Sequence, residues 1–208
     1  MGVRFALRQN YFQHTRGAEM LVLMQPPIFN SSRPFRTSTY LPTMITNKGK
    51  KRNFIIENFR QTIEQRASWL WLLCDEAEKK GLAWEDFAPA AITRYGEREG
   101  QELVKRAWDS KSLLGLRFLL FTLPARMIFD IKVKKLSSRE FNMEFSYCPL
   151  VNAWQKEGCS DGQIARLCDI AMCGDHGIAK AYDAELVITE RISRGDGVCK
   201  MHYVKKIQ

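Results

Sequence analysis

The sequence predicts an α+β fold, with a helical N-terminal layer packed on a small C-terminal antiparallel sheet in ββααββ order. Between Phe54 and Leu123 the apolar residues recur every three to four positions, which is the period of a helix face. After Pro124 they recur at every second position, which is the period of strands buried on one side. Such a sheet needs a cover on one face, and the helices supply it.

The helical layer begins with an amphipathic helix that is expected to end at Gly81. Two further helices are predicted over 84–95 and 101–108. A fourth, apolar segment starts at Asp109, and Pro124 marks a break near its end. The apolar stripe of the first helix consists of Ile55, Phe59, Ile63, Ala67, Leu70 and Cys74.

The sheet is predicted from four segments in which apolar and polar residues alternate. Two of them, 129–133 and 141–145, form a hairpin through the polar turn 136–140. The other two, 185–192 and 198–204, close the chain and are joined by a glycine-containing turn. Two helices are expected between the strand pairs.

The positive charge is concentrated at the N-terminus. The chain has 32 basic and 23 acidic residues, a net charge of +9, but residues 1–56 hold nine of the basic residues and one acid. Residues 1–53 are therefore predicted to be a basic, mostly irregular leader, and 54–208 a single domain, helical over 54–123 and sheet-and-helix over 124–208. The leader is typical of a transit peptide, an upstream extension or a flexible basic arm. We favour a nonessential extension and expect no nucleic-acid partner, because the basic residues are scattered.

Six cysteines would suit disulfides in a small secreted chain, but this chain is neither small nor preceded by a secretory signal pattern. Reduced thiols and a cytoplasmic location are therefore expected. No apolar stretch approaches the roughly 20 residues that span a bilayer, so no membrane association is expected either. A homo-oligomer is compatible with the sequence.

The first candidate for chemistry is Cys148. Because Pro149 suits the first turn of the predicted helix 149–157, Cys148 is expected at its N-cap. The helix dipole and free N–H groups there lower a thiol pKa, which favours a nucleophile or a metal ligand. A small buried cysteine that ends a strand is the alternative.

The second candidate site lies on the predicted helix 161–182, whose start is fixed by a capping box of Ser160 and Gln163. Cys168 and Asp175 are seven residues and two turns apart on its apolar stripe. A carboxylate that faces a core is costly unless it is paired, and desolvation raises its pKa toward that of a general acid.

Two neighbours on this helix are expected to point elsewhere. Cys173 is rotated by about 140° from Cys168, which makes the two a poor metal pair in a regular helix, and His176 also leaves the stripe. Gly174 and Gly177 permit a distortion or a close backbone approach, which weakens that exclusion.

Cys199 begins the last strand and alternates with Met201 and Tyr203, which predicts that it faces the covered side of the sheet. No spacing matches a zinc knuckle or a ferredoxin, although a cysteine-bound metal and simple packing both stay open. Phosphate-loop, Rossmann, nucleophile-elbow and His-Glu-x2-His motifs are absent from the sequence. The sequence thus predicts one pocket around Cys148, Cys168, Asp175 and Cys199.

The order of these motifs resembles the L-2-amino-thiazoline-4-carboxylic acid hydrolase family. The resemblance extends over about 58–203 and is sharpest from Tyr147 onward. The residues that carry it are Tyr147-Cys148-Pro149-Leu150, Trp154, Gly158, Leu167-Cys168-Asp169, Gly174-Asp175 and Gly195-Asp196-Gly197-Val198-Cys199.

The resemblance implies a hydrolase that opens a cyclic C–S/C–N substrate to give N-carbamoyl-L-cysteine, with no required cofactor. Such a reaction needs a general acid/base, for which Asp175 is the candidate, and either Cys148 or Cys168 could act as a nucleophile. His176 could assist.

Substrate binding in such a site requires a cation for the carboxylate, and Arg66 and Arg94 are the candidates, with Cys199 also contacting substrate. The alternative is a non-catalytic module that binds a small molecule or a metal on the same fold. A nucleic-acid-binding arm is a third reading, under which deletion of 1–56 would abolish function.

Overall fold

The computed structural model describes residues 45–109 and 112–206 and confirms the α+β class. A short 3-10 helix, Ile192–Arg194, lies between the last two strands, so the C-terminal order is ββααββ with this element added. The leader predicted over 1–53 lies outside the described residues except for 45–53. The helices are α1 (Phe54–Lys79), α2 (Ala88–Arg106), α3 (Leu113–Leu119), α4 (Leu123–Ile128), α5 (Pro149–Lys156) and α6 (Asp161–Ala181), and the strands are β1 (Ile131–Leu136), β2 (Glu140–Phe145), β3 (Ala184–Glu190) and β4 (Cys199–Lys205).

Helix α1 has the predicted ends but a different buried face. The Asn53 side chain caps its first turn, and Gly81 follows it in the left-handed region at φ 79°. The expectation that Ile55 and Phe59 are buried is wrong, since they are 62% and 48% exposed. The buried stripe begins one position later, because Arg60 takes the inward position through a network described below.

The two helices expected over 84–95 and 101–108 are one helix. A 3-10 turn, Trp84–Asp86, precedes α2, which then continues without a break. Gly96 and Gly100 are both buried inside it and face α6. Tertiary packing here overrides the low helix propensity of glycine.

Helices α2 and α6 touch through their backbones at these glycines. A Cβ on Gly96 would lie 2.1 Å from the carbonyl oxygen of Gly174, and a Cβ on Gly177 would lie 2.8 Å from the backbone of Thr93 and Glu97. No larger residue fits in either place. The close approach that Gly174 and Gly177 permit in the sequence is therefore present.

The apolar segment after Asp109 is also divided differently from the prediction. It forms α3, capped by the side chain of Ser112, and α4, capped by Thr122. Pro124 lies in the first turn of α4 rather than at the end of a helix, since its missing N–H costs nothing there.

The four strands form one antiparallel sheet in the order β1-β2-β4-β3. The predicted hairpin joins β1 and β2, and β4 pairs with both β2 and β3, so that Phe141 and Leu186 both lie opposite Tyr203. The covered face packs on α2, α3 and α6 and contains Ile131, Phe141, Met143, Ala184, Leu186, Met201 and Tyr203, all buried.

A second apolar cluster lies between α1, α5 and α6. Trp154 is 1% exposed, and its indole N–H donates to the carbonyl of Ala67 at 3.0 Å. Trp84 is fully buried, and the Arg166 guanidinium lies 3.8 Å from its ring centroid. This cluster holds the start of α5 and the middle of α6 against α1.

Residues 45–53 are irregular and pack on the domain. Ile45 is buried, and the Asn47 side chain bonds to both the N–H and the carbonyl of Cys148, at 2.9 and 2.8 Å. Arg52 forms an ion pair with buried Asp130, and the backbone N–H of Lys50 donates to the same carboxylate at 2.8 Å. This last part of the predicted leader is irregular, but it is bound to the domain by these contacts.

Arg60 and Asp130 form a buried ion pair that determines which face of α1 is directed inward. Arg60 is 4% exposed, donates to the carbonyls of Ile128 and Lys50, and lies 3.4 Å from the Asp130 carboxylate. Its guanidinium also lies 4.3 Å from the ring centroid of Tyr147. The buried guanidinium of Arg60 thus has both hydrogen-bond acceptors and an opposite charge, as a buried charge requires.

No helix within the described residues is long and apolar enough to cross a membrane.

The glycine contact can be tested with a matched pair of substitutions. Gly96→Ala forces the α2 and α6 backbones apart and is expected to destabilise the fold by about 3 kcal/mol. Gly162→Ala, in the first turn of α6 with open space around its Cβ, is expected to stabilise it by about 0.5–1 kcal/mol. Urea unfolding measures both, and equal effects of the two substitutions would contradict the contact.

Candidate active site

The four residues of the predicted pocket are carried by three elements. Helix α6 starts at the predicted capping box and places Cys168 and Asp175 on one stripe. Cys148 is the N-cap of α5, and Cys199 is the first residue of β4. The elements thus begin where the sequence predicts, to within a residue.

Asp175 is desolvated and has one neutral hydrogen-bond donor. The residue as a whole keeps some exposure, but burial of its carboxylate raises the pKa from 3.8 to about 6. The phenol of Tyr203, which is fully buried, donates to its Oδ1 at 3.5 Å, and the charge of Arg66 acts on it from α1; both lower the pKa less than burial raises it. A carboxyl group with this pKa exchanges a proton near neutral pH, as a general acid or base must.

Five of the described cysteines belong to or pack against the second apolar cluster, and in three of them, Cys148, Cys168 and Cys199, the thiols interact. Cys168 is buried, Cys148 and Cys199 pack against it half-buried, and a thiolate on any one of them would repel a thiolate on another. Burial raises the pKa of all three thiols, that of Cys199 to about 12. The thiols are therefore protonated at neutral pH.

The start of α5 lowers the Cys148 pKa as expected, but the net pKa is raised. Cys148 occupies the N-cap as predicted, and the N–H groups of Leu150 and Val151 do lower its pKa. Desolvation acts in the opposite direction and is larger, so the pKa lies well above its usual value.

The turn before β4 positions Cys199. The N–H of Ile192 donates to its Sγ at 3.3 Å, while the Asp196 carboxylate accepts from the N–H of Arg191 at 2.7 Å. Gly195 has φ 91°, a left-handed conformation that glycine adopts freely. The Gly195-Asp196-Gly197 motif therefore supports the sulfur through a fixed turn.

A charged pair beside the thiols was not found from the sequence. Arg191 forms an ion pair with Asp169, which also accepts from Arg194 at 2.7 Å. The Arg191 charge lowers the pKa of both Cys168 and Cys199. In the sequence, the position of Asp169 directly after Cys168 is the feature that could have indicated a charged group beside the thiols.

The remaining candidate residues form no hydrogen bond with Asp175. His176 is exposed, and burial of its ring and the charge of Arg191 lower its pKa. Arg66 and Arg94 are exposed on α1 and α2, and only the charge of Arg66 acts on Asp175. Cys173 hydrogen-bonds to the carbonyl of Asp169 at 3.4 Å and lies outside the thiol cluster.

Two depressions on the described surface are lined by other residues. One, of about 420 Å³, lies at the start of α1 beside Tyr147, and the other, of about 400 Å³, lies between α1 and α5. The predicted cysteine pocket thus stays a prediction. Within 45–109 and 112–206, no three His, Cys, Asp or Glu side chains are placed to hold a metal ion.

A family model described as L-2-amino-thiazoline-4-carboxylic acid hydrolase matches residues 60–203, which is more than half of the chain. The chain belongs to this family. The match contains the stripe of α6, the Cys148 N-cap and the turn before Cys199, and it confirms the resemblance that these motifs indicate. A search of curated proteins finds no match.

The thiol environment predicts slow alkylation. At pH 7.5, Cys148, Cys168 and Cys199 are expected to react with iodoacetamide at least about tenfold more slowly than Cys173, since the thiolate is the reactive form. Peptide mapping by mass spectrometry measures the rates in the native protein, and urea-unfolded protein is the control. Fastest labelling at Cys148 would contradict protonated thiols.

The raised pKa of Asp175 also predicts a pH-dependent stability. Because about 6 lies above the unfolded value of 3.8, the folded state binds more protons between the two, and stability falls as pH rises through this window. Asp175→Asn removes the penalty, so it is expected to stabilise the protein by about 1–3 kcal/mol at pH 8. The gain in stability should vanish below about pH 4, where Asp175 is protonated in both the folded and the unfolded state. Urea unfolding across this range measures it, and a pH-independent difference would contradict a raised pKa.

Proposed function

We propose that the chain is a hydrolase that opens L-2-amino-thiazoline-4-carboxylate to N-carbamoyl-L-cysteine. The observation that carries the proposal is the desolvated carboxyl group of Asp175, with a pKa of about 6, in a member of this family. A module that only bound an apolar molecule would need no carboxylate on the packed stripe of α6. The desolvation lowers stability, and a catalytic use explains why the residue is there.

Asp175 acts first as a base. Above pH 6 its carboxylate accepts a proton from a water molecule, whose oxygen adds to the ring carbon between nitrogen and sulfur. The C–S bond then breaks, the carboxyl group returns the proton to the leaving sulfur, and the proton of the added hydroxyl passes to the ring nitrogen as that oxygen becomes the carbonyl oxygen. One water is added in total, and the products are a free thiol and a carbamoyl nitrogen.

Tyr203 and Arg66 assist this cycle in different ways. The Tyr203 phenol donates to Asp175 and fixes one of its oxygens, and its own pKa is raised by burial, so it stays a donor. Arg66 is exposed, forms no ion pair with any described residue, and is close enough for its charge to act on Asp175. It is the cation that we assign to the substrate carboxylate.

Direct attack by water is favoured over a covalent thiol intermediate. Cys148 and Cys168 are protonated at neutral pH, and among the described residues neither thiol donates a hydrogen bond to a carboxylate or an imidazole that would remove the proton. The charges of Asp169 and Asp175 act on Cys168 and raise the pKa of its thiol further. We therefore assign the cysteines to positioning, with Cys199 at the edge of the same cluster.

The proposal is tested with the full-length chain and L-2-amino-thiazoline-4-carboxylate, by following thiol release with a chromogenic reagent and the product by mass. Asp175→Asn is expected to lower kcat/KM by about 10²–10⁴, because a general base is lost. In the wild type, kcat/KM should rise with pH through about 6, as the base becomes ionised. Asp75→Asn on α1 is the matched control and should leave the rate unchanged.

The carboxylate assignment is tested in the same assay. Arg66→Gln is expected to raise KM about tenfold with a smaller effect on kcat, since it removes a charge-assisted contact. Arg94→Gln removes an equal charge from α2 and separates the two candidates. A rise in KM for Arg94→Gln alone would move the assignment to Arg94, and failure of the wild type to release thiol would overturn the proposed substrate.

A further inference from the structure

The pocket at the start of α1 is built from basic residues. It lies between the irregular segment 45–53, the first turns of α1 and the entry to α5, and has a volume of about 420 Å³. That volume is within the range of small-molecule sites. The residues that matter for its chemistry are Asn47, Lys50, Lys51, Arg52, Arg60 and Tyr147.

The pocket has two more positive than negative charges. Among the described residues, four cationic side chains line it, and the acids that contact them are Glu57, which also lines it, and Asp130. Lys50 and Lys51 are exposed and form no ion pair with any described residue. An anion with two charges would neutralise the pocket.

Arg52 is held in place but keeps free donors. One of its terminal nitrogens is paired with Asp130, and its backbone N–H donates to Glu57 at 3.1 Å. Its Nε is buried without a hydrogen-bond partner within the described structure. A buried donor in this state is rare, and an oxyanion in the pocket would supply its acceptor.

The other residues favour a small ion over an aromatic ligand. Arg60 donates to Glu57, Asp130 and backbone carbonyls and so contributes charge rather than free donors. The Tyr147 ring is already contacted by the Arg60 guanidinium and by Gly49, on which a Cβ would lie 2.7 Å from the ring.

The pocket is distinct from the Asp175 site. Arg60 lines it from α1, whereas Arg66, six residues later, is rotated by about 120° around the helix and acts on Asp175. Asp175, Cys168 and Cys199 do not line it. Occupancy of the pocket is thus separate from the proposed hydrolysis.

We propose that this pocket binds a small, doubly charged oxyanion with the chemistry of a phosphate group. The anion is held by the free Nε of Arg52 and by the ammonium groups of Lys50 and Lys51. It joins segment 45–53 to α1 and the Cys148 N-cap, which Asn47 already contacts.

Binding is measured by titration calorimetry on the full-length chain at constant ionic strength, with inorganic phosphate and glycerol 3-phosphate as separate probes and acetate as the reference anion. Arg52→Lys keeps the charge and the pairing with Asp130 but loses the Nε donor, and should weaken phosphate binding about tenfold. Lys51→Gln should weaken it about two- to fivefold. Lys48→Gln is the matched control, since Lys48 is exposed on the same segment but does not line the pocket.

Tighter binding of glycerol 3-phosphate would identify a phosphorylated metabolite as the ligand, and equal binding would identify the phosphate group alone. The proposal is overturned if phosphate binds no better than acetate, if Arg52→Lys binds like the wild type, or if Lys48→Gln weakens binding as much as Lys51→Gln does. Thermal unfolding of each variant checks that it is folded. Lys51→Gln should leave thiol release from the thiazoline unchanged, so the two proposals fail separately.

Discussion

The backbone contact between α2 and α6 is the constraint on which the rest of the domain depends. Gly96 meets Gly174 where no side chain fits, and the two helices together cover the sheet. Gly174 directly precedes Asp175, so the contact fixes the height of the carboxylate along the helix axis. The same helix carries Cys168 two turns earlier, and the apolar thiol cluster forms around it. Packing and proton chemistry thus share one helix.

A second constraint acts from the opposite end of the domain. Asp130 has φ 50°, an uncommon conformation for a residue with a side chain, and its carboxylate binds Arg52, Arg60 and a backbone N–H. It thereby ties residues 45–53, α1 and the start of β1 together. Since Arg60 is drawn inward by this network, Phe59 is left exposed on the outer surface of α1.

Local chemistry made most of the elements predictable. The capping box of α6, the proline at the start of α5, the alternation of the strands and the seven-residue spacing of Cys168 and Asp175 all depend on near neighbours. The wrong predictions concern positions whose structure or pKa depends on residues that are distant in the sequence. Gly96 lies in an unbroken helix because α6 covers it, and Cys148 keeps its proton because of burial that a sequence does not display.

The site itself was predictable in part for the same reason. Tyr203 was identified as facing the covered side of the sheet, but its bond to Asp175 joins two elements and could not be read from periodicity. Arg66 was one of two equal candidates, and only the arrangement of α1 relative to α6 separates it from Arg94. The pairing of Arg191 with Asp169 depends on the turn that follows β3.

The glycine contact also has a consequence for how the chain acquires its structure. Gly96 and Gly174 are far apart in the sequence, so their meeting requires a long loop to close, and neither residue offers a side chain that could form early apolar contacts. Contacts of this kind slow folding more than local ones do. The native position of the carboxylate beside Gly174 therefore depends on a contact between distant parts of the chain, and α6 alone does not establish it.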